Sequence, residues 1–517
     1  MMRKWSRPLA VMIVFCSVAA ASWLTFGGDA QRSGWAKDET ALSPETVKGL
    51  QLLWSLKLDN QPKLLNSLTS PVVINPVYTN HGAETYVVVG GSSDNLYVVD
   101  GDSGKLVWQK HFTNEVPAST DPQHGSYFCP EALNDTPIIQ SGKAGVTVYV
   151  ISVDGKLHAL NIVNGEDRFP PRQFVPPYSK NWSLNIADNF VYTTTSQGCG
   201  KARSGVWALD LNSPDKPVGS FESDPYGGGI WGRGGASVGL QGTVYAATGD
   251  GAFDPSSGKY ADTFLALSPK DVKLLDYFTP ANANYLTRKD LDMGNGTPIV
   301  FTYKGRELLV GSGKEGRLFL LDSKSLGGET HRKPLFESPL YTNQEGDIAG
   351  RGFWGAFASW EDPKGVRWIY APAWGPAASK APPFPVTNGP VPDGSIMAFK
   401  VEENNGQPIL APAWSSRNMA VPEPPIVANG VVFAISSGEF TRQVKEDGTL
   451  YTAEERIKLT TGNAVLYAFD AQTGKELFSS GKTMPSFTHF GGLAVSDGRV
   501  YATTHDGTLY AFGISGQ

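Results

Sequence analysis

The chain has 517 residues, more than one average domain, and its 44 Lys and Arg residues nearly balance its 50 Asp and Glu residues. The resulting net charge is −6, and no stretch of the sequence is strongly basic, which argues against a nucleic-acid partner. Charged residues make up 18% of the chain and aromatic residues 11%, with 58 glycines and 36 prolines. This composition argues against disorder and against a helical bundle, and it favours many short strands joined by turns.

The N-terminal segment has the layout of a secretory signal. Residues 3–7 carry three positive charges, and an apolar run from Leu9 to Ala21 follows and ends in small residues. The run is shorter than the ~20 apolar residues that span a bilayer, and no later run reaches that length. We therefore expect residues 1–21 to be a cleaved signal peptide and residues 22–517 to be a periplasmic or secreted protein without a transmembrane segment. An uncleaved anchor is the alternative.

Cleavage would leave two cysteines, Cys129 and Cys199. An exported pair can oxidise to a disulfide, and whether these two meet depends on the fold. The sequence contains no Cys-x-x-Cys-His motif, so no c-type haem is attached to this chain. The seven histidines are scattered without the spacing of a zinc site, so zinc catalysis is not expected.

One short pattern recurs along the chain: a strand, a turn with Asp or Gly, and a second strand that ends in Ala-Leu-Asp or a similar sequence. The eight copies are spaced by roughly 45–75 residues, and they begin at Asp94, Asp154, Gly205, Asp262, Gly316, Gly394, Val465 and Asp506. Each copy alternates with period two between turn residues, which indicates a small antiparallel sheet.

Repeated four-stranded sheets at this spacing predict an all-β fold, an eight-bladed β-propeller of antiparallel blades. The last unit, from Thr488 to about Ile514, is short for a full blade. An N-terminal strand is therefore expected to close the ring, with Trp23–Gly28 as the candidate, because closure removes two exposed sheet edges. Two separate β-domains are the alternative.

The best-kept copy of the repeat resembles the blade motif of the quinoprotein alcohol dehydrogenases. Its matching residues are Asp100, Gly104, Lys105 and Trp108. The segment from Phe26 to Gly34, followed by Leu53-Trp54, is similar to the opening of that superfamily. Its members are eight-bladed propellers that bind pyrroloquinoline quinone (PQQ) and usually Ca²⁺ on the central axis. Non-enzymatic scaffold propellers carry the same motif, so the motif implies the fold more strongly than the activity.

The resemblance implies a cofactor floor and a metal ligand. Gly229 and Trp231 match the family segment that contains the floor tryptophan under PQQ, and Asp250 stands where the family has an asparagine that binds Ca²⁺. A carboxylate is an equally suitable hard ligand.

The resemblance also implies a catalytic base and a cation. The segment from Asp290 to Pro298 is most similar to the polyvinyl-alcohol dehydrogenase branch, where Asp292 matches the base and a metal ligand. Lys314 matches the Lys or Arg beside the quinone oxygens, where it would stabilise developing charge. Each match also has a purely structural alternative: Trp231 packed in a blade core, and the polar residues placed in turns.

Three departures from the family pattern weaken this assignment. Cys199 stands at the position of a Glu that binds Ca²⁺, and a thiol is a poor ligand for a hard cation. The vicinal cysteine pair of several members is reduced to Cys129-Pro130, and the Arg that follows that pair has no counterpart in residues 131–137. If Cys129 and Cys199 project from neighbouring blades towards one axis, they would form a disulfide.

Two functional hypotheses follow from the resemblance. The first is an exported PQQ-dependent dehydrogenase that oxidises an alcohol or polyol and, lacking its own haem, passes electrons to a separate cytochrome c or quinone. The second is a non-catalytic PQQ-like propeller that serves as a binding or assembly scaffold in the bacterial envelope. The axial matches favour the first hypothesis, and the missing Glu and Arg favour the second. A hydrolase or lyase propeller lacks a paired nucleophile and base.

Overall fold

The computed structural model describes residues 21–117, 119–120, 123–143, 145–213, 215–224 and 227–515, so all but the last residue of the expected signal peptide lies outside the described residues. Eight antiparallel sheets form a ring, and strands make up 43% of the structure. The first strands of neighbouring sheets contact one another around most of the ring, which places these strands next to the axis. The predicted eight-bladed β-propeller is confirmed.

Each blade is built on four strands. The strands of blades 1 to 4 are Val72–Thr79, Gly82–Gly91, Asn95–Asp100 and Leu106–His111; Ile138–Gly142, Gly145–Ile151, Lys156–Asn161 and Arg172–Gln173; Asn185–Ala187, Phe190–Ser196, Ser204–Asp210 and Gly219–Asp224; and Ser237–Val238, Val244–Ala247, Phe264–Leu267 and Leu274–Phe278. The strands of blades 5 to 8 are Ile299–Tyr303, Arg306–Ser312, Leu318–Asp322 and Phe336–Glu337; Ala358–Glu361, Arg367–Trp374, Gly394–Asn404 and Gln407–Ser415; Ile426–Ala428, Val431–Ser436, Val465–Asp470 and Glu476–Ser479; and Leu493–Ser496, Arg499–Thr503, Thr508–Ile514 and Leu50–Lys57.

Short elements decorate the ring. The additional strands are Trp35–Ala36, Lys180–Asn181, Phe253–Asp254, Lys259–Tyr260, Gly296–Thr297, Gly352–Phe353, Gly355–Ala356 and Val386–Thr387. The helices are α1 (Ala283–Lys289), α2 (Ala453–Leu459) and the 3₁₀ turns Thr46–Gly49, Cys199–Lys201, Pro255–Ser257 and Gly328–Thr330. Within the described residues, no helix is both long and apolar enough to cross a membrane.

The eight copies of the sequence repeat form the third strand of each blade. The tryptophan of the repeat joins neighbouring blades: the Trp108 indole N–H donates to the Ile162 carbonyl at 2.8 Å and its ring covers Gly165 of the next blade. Trp414 covers Gly474 in the same way. Both glycines have positive φ angles, and a Cβ at either position would lie within 3.0 Å of an indole ring, so glycine is required in these turns.

An N-terminal strand closes the ring, as the sequence predicts, but the predicted segment was wrong. Leu50–Lys57 pairs antiparallel with Thr508–Ile514 and completes blade 8. Trp23 instead exchanges two backbone hydrogen bonds with Val73, in the first strand of blade 1. The physical reason is the pair Gly27-Gly28, whose positive φ angles turn the chain so that it cannot continue as an outer strand.

Residues 21–36, which we call the axial segment, run across the first strands of the blades. The segment makes hydrogen bonds to every blade; the partners, in blade order, are Val73, Ile139, Asn185, Val238, Val300, Ser359, Val427 and Ser496. One stretch of chain therefore ties all the blades together at the axis.

A buried arginine fixes the axial segment. Arg32 has no exposed surface, and its guanidinium donates to Thr25 Oγ1 at 2.6 Å and to the Phe26 carbonyl at 2.8 Å. It also donates to the carbonyls of Leu184 at 2.9 Å and Ala236 at 3.3 Å. Burial lowers the pKa of Arg32 to about 9, which leaves it charged at neutral pH. The cation is thus solvated by oxygen atoms from three separate segments of the chain.

A buried carboxyl group makes stability depend on pH. Asp135 has no exposed surface, its Oδ2 accepts the Ile151 N–H at 3.1 Å, and burial raises its pKa from the ordinary 3.8 to about 7. Between pH 3.8 and pH 7 the folded protein keeps the proton of Asp135 more often than the unfolded protein does. The free energy of unfolding therefore falls as pH rises through this range. We expect the free energy of unfolding of Asp135→Asn, relative to wild type, to increase by about 2–3 kcal/mol from pH 5 to pH 8. Denaturant titrations at both pH values measure this; a difference independent of pH would contradict it.

Candidate functional site

A cavity of about 260 Å³ lies where the connections between the blades converge at the axis. Side chains from around the whole ring line it, among them Asn66, Tyr127, Trp182, Trp231, Asp250, Asp292, Lys314, Trp354, Glu439 and His489. One wall backs onto the axial segment: Arg233 lines the cavity, and a Cβ at the adjacent Gly234 would lie 3.1 Å from the Phe26 ring.

Glycines let three connections meet below the cavity. The Gly249 N–H donates to the Gly229 carbonyl at 2.8 Å, and the Trp231 N–H donates to the Gly294 carbonyl at 3.0 Å. A Cβ at Gly294 would lie 2.3 Å from the Gly229 oxygen, so no larger residue fits there without moving the backbone. This close approach brings together side chains that are far apart in the sequence.

Asp292 is a buried carboxylate held by two donors. The Trp231 indole N–H donates to its Oδ1 at 3.1 Å, and Lys314 Nζ lies 2.8 Å from its Oδ2. Burial raises the pKa of Asp292 to about 7, while the charge of Lys314 acts in the opposite direction. The net shift of the pKa is upward, which makes this carboxylate a stronger proton acceptor than an exposed aspartate and suits it to act as a general base.

Lys314 is a buried ammonium group between carboxylates and indole rings. Its Nζ lies 2.6 Å from Asp290 Oδ1, and it is 5.2 Å from the centre of the Trp231 ring and 5.6 Å from that of Trp354. Burial lowers its pKa, but the charges of Asp292 and Asp290 more than compensate, so the net shift is upward. Lys314 is therefore a permanent cation at this side of the cavity.

The carboxylates of Asp250, Asp290 and Asp292 form a group in which one oxygen of each lies within 4.8 Å of the others. Burial, followed by the charge of Asp290, raises the pKa of Asp250. Three carboxylates are a suitable donor set for a hard cation such as Ca²⁺. Asp290 is the member of this group to which the sequence comparison assigned no role; its position two residues before Asp292 was the available signal.

Cys129 and Cys199 form a disulfide, which the sequence left open. It links the connection between blades 1 and 2 to blade 3 and so anchors cavity residues on both sides, Tyr127 and Phe128 on one and Gln197 on the other. The residue at the family's Glu position is therefore neither a carboxylate nor a free thiol, and its sulfur is not available to a metal.

A second group of charged residues lines the cavity from blade 7 and its connection to blade 8. Glu439 accepts hydrogen bonds from Arg456 Nη2 and from His489 Nδ1, both at 2.7 Å. All three side chains are largely buried, and Arg456 is positioned by α2. Sequence reasoning missed this group because its members are 17 and 33 residues apart in the sequence, without any motif spacing.

Two further cations, Lys180 and Arg233, contribute to the cavity wall. Arg233 lies between the rings of Trp182 and Phe490, with its Cζ 5.3 and 5.2 Å from their centres. Lys180 Nζ lies 5.4 Å from the Trp182 ring. Sequence reasoning missed both; the position of Arg233, two residues after Trp231, was the one local signal.

An eight-bladed ring with tryptophan-capped blades and an axial cavity defines a quinoprotein-type β-propeller. The chain belongs to the family described as "Outer membrane protein assembly factor BamB", a family of PQQ-type propellers whose model matches residues 36–215 and 411–515. The matched ranges do not include residues 216–410, which contain Trp231, Asp292 and Lys314.

Several known proteins are similar over nearly the whole chain. The "1-butanol dehydrogenase (cytochrome c)" of Thauera butanivorans is 23% identical over 98% of this chain and 81% of its own length. The quinohemoprotein alcohol dehydrogenase of Comamonas testosteroni superposes with a TM-score of 0.60 at 15% identity, over 97% of this chain and 82% of that one. A europium-containing methanol dehydrogenase gives 0.60 at 13% identity, over 95% and 98%. At these identities the superpositions show a shared fold.

Proposed function

We propose that this protein is an exported quinoprotein-like oxidoreductase that oxidises an alcohol or polyol with PQQ in the axial cavity. The observation that carries the proposal is the buried carboxylate of Asp292, held in the cavity between the Trp231 indole and the Lys314 ammonium group. A carboxylate with a raised pKa, oriented by two donors and lining a cavity, has the properties of a general base.

The cavity suits PQQ, a flat molecule with three negative charges. Trp231 and Trp354 supply aromatic surface, and Trp354 is itself stacked on Trp374 with the ring centres 4.3 Å apart. Lys180 and Arg233 supply positive charge, and the buried Arg233 Nε has no hydrogen-bond partner within the described residues. These groups would hold the ring system and the acidic substituents of the cofactor.

We further propose Ca²⁺ as a partner of the cofactor, with Asp250 and Asp292 as ligands and Asp290 as a third oxygen donor. Lys314 already lies against two of these carboxylates, so a cation would share them with the ammonium group. The missing family Glu, replaced by the disulfide-bonded Cys199, leaves fewer protein ligands than the family pattern implies.

The residues of the cavity then have separate roles. PQQ, when bound, supplies the acceptor for the hydride of the alcohol carbon. Asp292 accepts the proton of the substrate hydroxyl, and the Trp231 N–H fixes the orientation of its carboxylate. Lys314 keeps positive charge beside the reacting groups and favours the ionised form of Asp292.

We propose an extracytoplasmic site of action, periplasmic or secreted, and a separate electron acceptor such as a cytochrome c or a quinone. The first rests on the layout of residues 1–21, and the second on the absence of a Cys-x-x-Cys-His motif from the sequence. The similar butanol dehydrogenase carries cytochrome c in its name, which supports the same kind of acceptor.

A scaffold in the bacterial envelope is the second candidate function. The description of the matching family, an outer membrane protein assembly factor, favours it. The match leaves out the part of the chain that contributes Trp231, Asp292 and Lys314, and a scaffold has no need for a buried carboxylate and ammonium group at one cavity. This difference ranks the oxidoreductase first.

The decisive experiment is reconstitution of the purified protein with PQQ, with and without Ca²⁺. We expect quenching of tryptophan fluorescence at micromolar PQQ, followed by dye-linked oxidation of 1-butanol. Loss of binding on chelation would support the carboxylate metal site. Absence of PQQ binding at micromolar concentration, with or without Ca²⁺, would overturn the oxidoreductase and leave the scaffold.

A further inference from the structure

The cations that line the cavity fall into two kinds. Lys314 and Arg456 are neutralised, because each lies within 2.8 Å of at least one carboxylate oxygen. Lys180 and Arg233 have no carboxylate within 4.0 Å among the residues that the structure describes. Charges removed from water without a counter-ion are costly, so the buried Arg233 and the partly buried Lys180 need a physical explanation.

Arg233 is built into the wall rather than solvated. The residue is only 7% exposed, and its guanidinium lies between the Trp182 and Phe490 rings. Its Nη2 reaches only the His489 carbonyl, at 3.5 Å, and its Nε has no partner within the described part of the chain. A planar donor fork held between two rings, with unused donors beside a cavity, is the geometry that binds a carboxylate.

Lys180 lies against the same indole ring as Arg233. Its Nζ is 5.4 Å from the Trp182 ring and, among the residues that the structure describes, makes one hydrogen bond, to the Tyr127 carbonyl at 3.4 Å. Two cations thus share one aromatic surface at the cavity. They supply positive charge to the cavity, whereas Asp250, Asp290 and Asp292 supply negative charge.

We propose that Lys180 and Arg233 form a carboxylate-binding subsite of the axial cavity, which takes an acidic substituent of a planar, polyanionic ligand. An arriving carboxylate would satisfy the free donors of Arg233 and supply the missing counter-ion for both cations. The subsite supplies the positive charge that sequence comparison could not locate in residues 131–137. The identity of the ligand as PQQ rests on the proposed function; the subsite itself rests on the two cations.

The subsite also couples anion binding to proton uptake. Burial, together with the charge of Arg233, lowers the pKa of Lys180 to about 7. The charges of Glu423 and Glu439 raise the pKa of Arg233, and His489 and Arg456 in turn lie beside Glu439 and favour its ionised form. A bound carboxylate favours the protonated lysine, so at pH 8 binding should take up a proton, and affinity should fall as pH rises above 7.

Fluorescence and calorimetric titrations with PQQ and its neutral trimethyl ester test the subsite in four proteins: wild type, Lys180→Gln, Arg233→Gln and the surface control Lys270→Gln. We expect wild type and the control to prefer PQQ over the ester, and each cavity variant to lose about 10- to 100-fold in affinity for PQQ with little change for the ester. Lys180→Arg should retain affinity and remove the pH dependence between 7 and 9, because arginine stays charged. Thermal unfolding shows that each variant is folded.

The outcomes separate the subsite from the proposed function. If PQQ binds wild type and both Gln variants equally, the subsite is wrong and the oxidoreductase proposal stands. If wild type binds no PQQ, the same titrations with benzene-1,3,5-tricarboxylate decide: binding that the Gln variants lose supports a subsite for another carboxylate ligand. Failure of that probe as well overturns the subsite.

Discussion

Replacing Asp292 with asparagine should lower kcat for alcohol oxidation by the PQQ-loaded protein by about 100- to 10,000-fold. The amide has the shape of the carboxylate, and its oxygen can still accept the Trp231 N–H that now reaches Oδ1 at 3.1 Å. It cannot accept the proton of the substrate hydroxyl, so the loss falls on the chemical step. Dye-linked oxidation of 1-butanol under saturating substrate measures it.

Two controls show whether the loss of activity comes from the loss of a general base. Asp254→Asn, an exposed carboxylate in the adjacent hairpin, should leave kcat unchanged, because it lies outside the cavity. PQQ titration of Asp292→Asn should still show a bound cofactor, which separates slow chemistry from lost binding. Activity within a few-fold of wild type in the fully loaded variant would place the base elsewhere.

Replacing Arg32 with leucine should lower the free energy of unfolding by about 3–5 kcal/mol. The substitution removes the donors for Thr25 Oγ1 and for the carbonyls of Phe26, Leu184 and Ala236. The Leu184 and Ala236 carbonyls each keep one other donor, but the Phe26 carbonyl loses its arginine partner and all the hydrogen bonds of the buried guanidinium are lost. It also frees the axial segment from the blades that it connects. Urea unfolding followed by tryptophan fluorescence measures the change.

Arg32→Lys is the matched variant, because lysine keeps the charge and part of the hydrogen bonding. We expect it to lose less stability than Arg32→Leu, since one ammonium group can reach some of the four acceptors. A leucine variant as stable as wild type would show that these acceptors find other partners and that the segment does not depend on Arg32.

The blade architecture could be predicted because each unit repeats the same local chemistry. The alternation and the Gly-Lys turns are visible in single copies, such as the one that ends at Trp108, and the structure places every copy in a third strand. The closing strand could not be identified, because Trp23–Gly28 and Leu50–Lys57 are both apolar and near the start of the chain. The conformations of Gly27 and Gly28 decide between them, and these appear only in three dimensions.

The residues of the candidate site could also be predicted only in part. Trp231, Asp292 and Lys314 could be proposed from family motifs, and the structure brings all three to one cavity; their roles remain predictions. Lys180 and Arg233 could not be found, because a short strand and a separate connection, distant in the sequence, bring them to one indole ring. Charge balance within a cavity is a property of the assembled ring and has no signature in local sequence.

The axial segment has a consequence for how the molecule reaches its native state. Residues 21–36 are synthesised early, but one of their hydrogen-bond partners is Ser496, close to the end of the chain. The strand Leu50–Lys57 likewise pairs with Thr508–Ile514, which is synthesised last. Contacts of such large sequence separation carry a high loop-closure entropy and slow folding. The ring can therefore close only after its last strand has been made, so closure is expected to be a late and cooperative step.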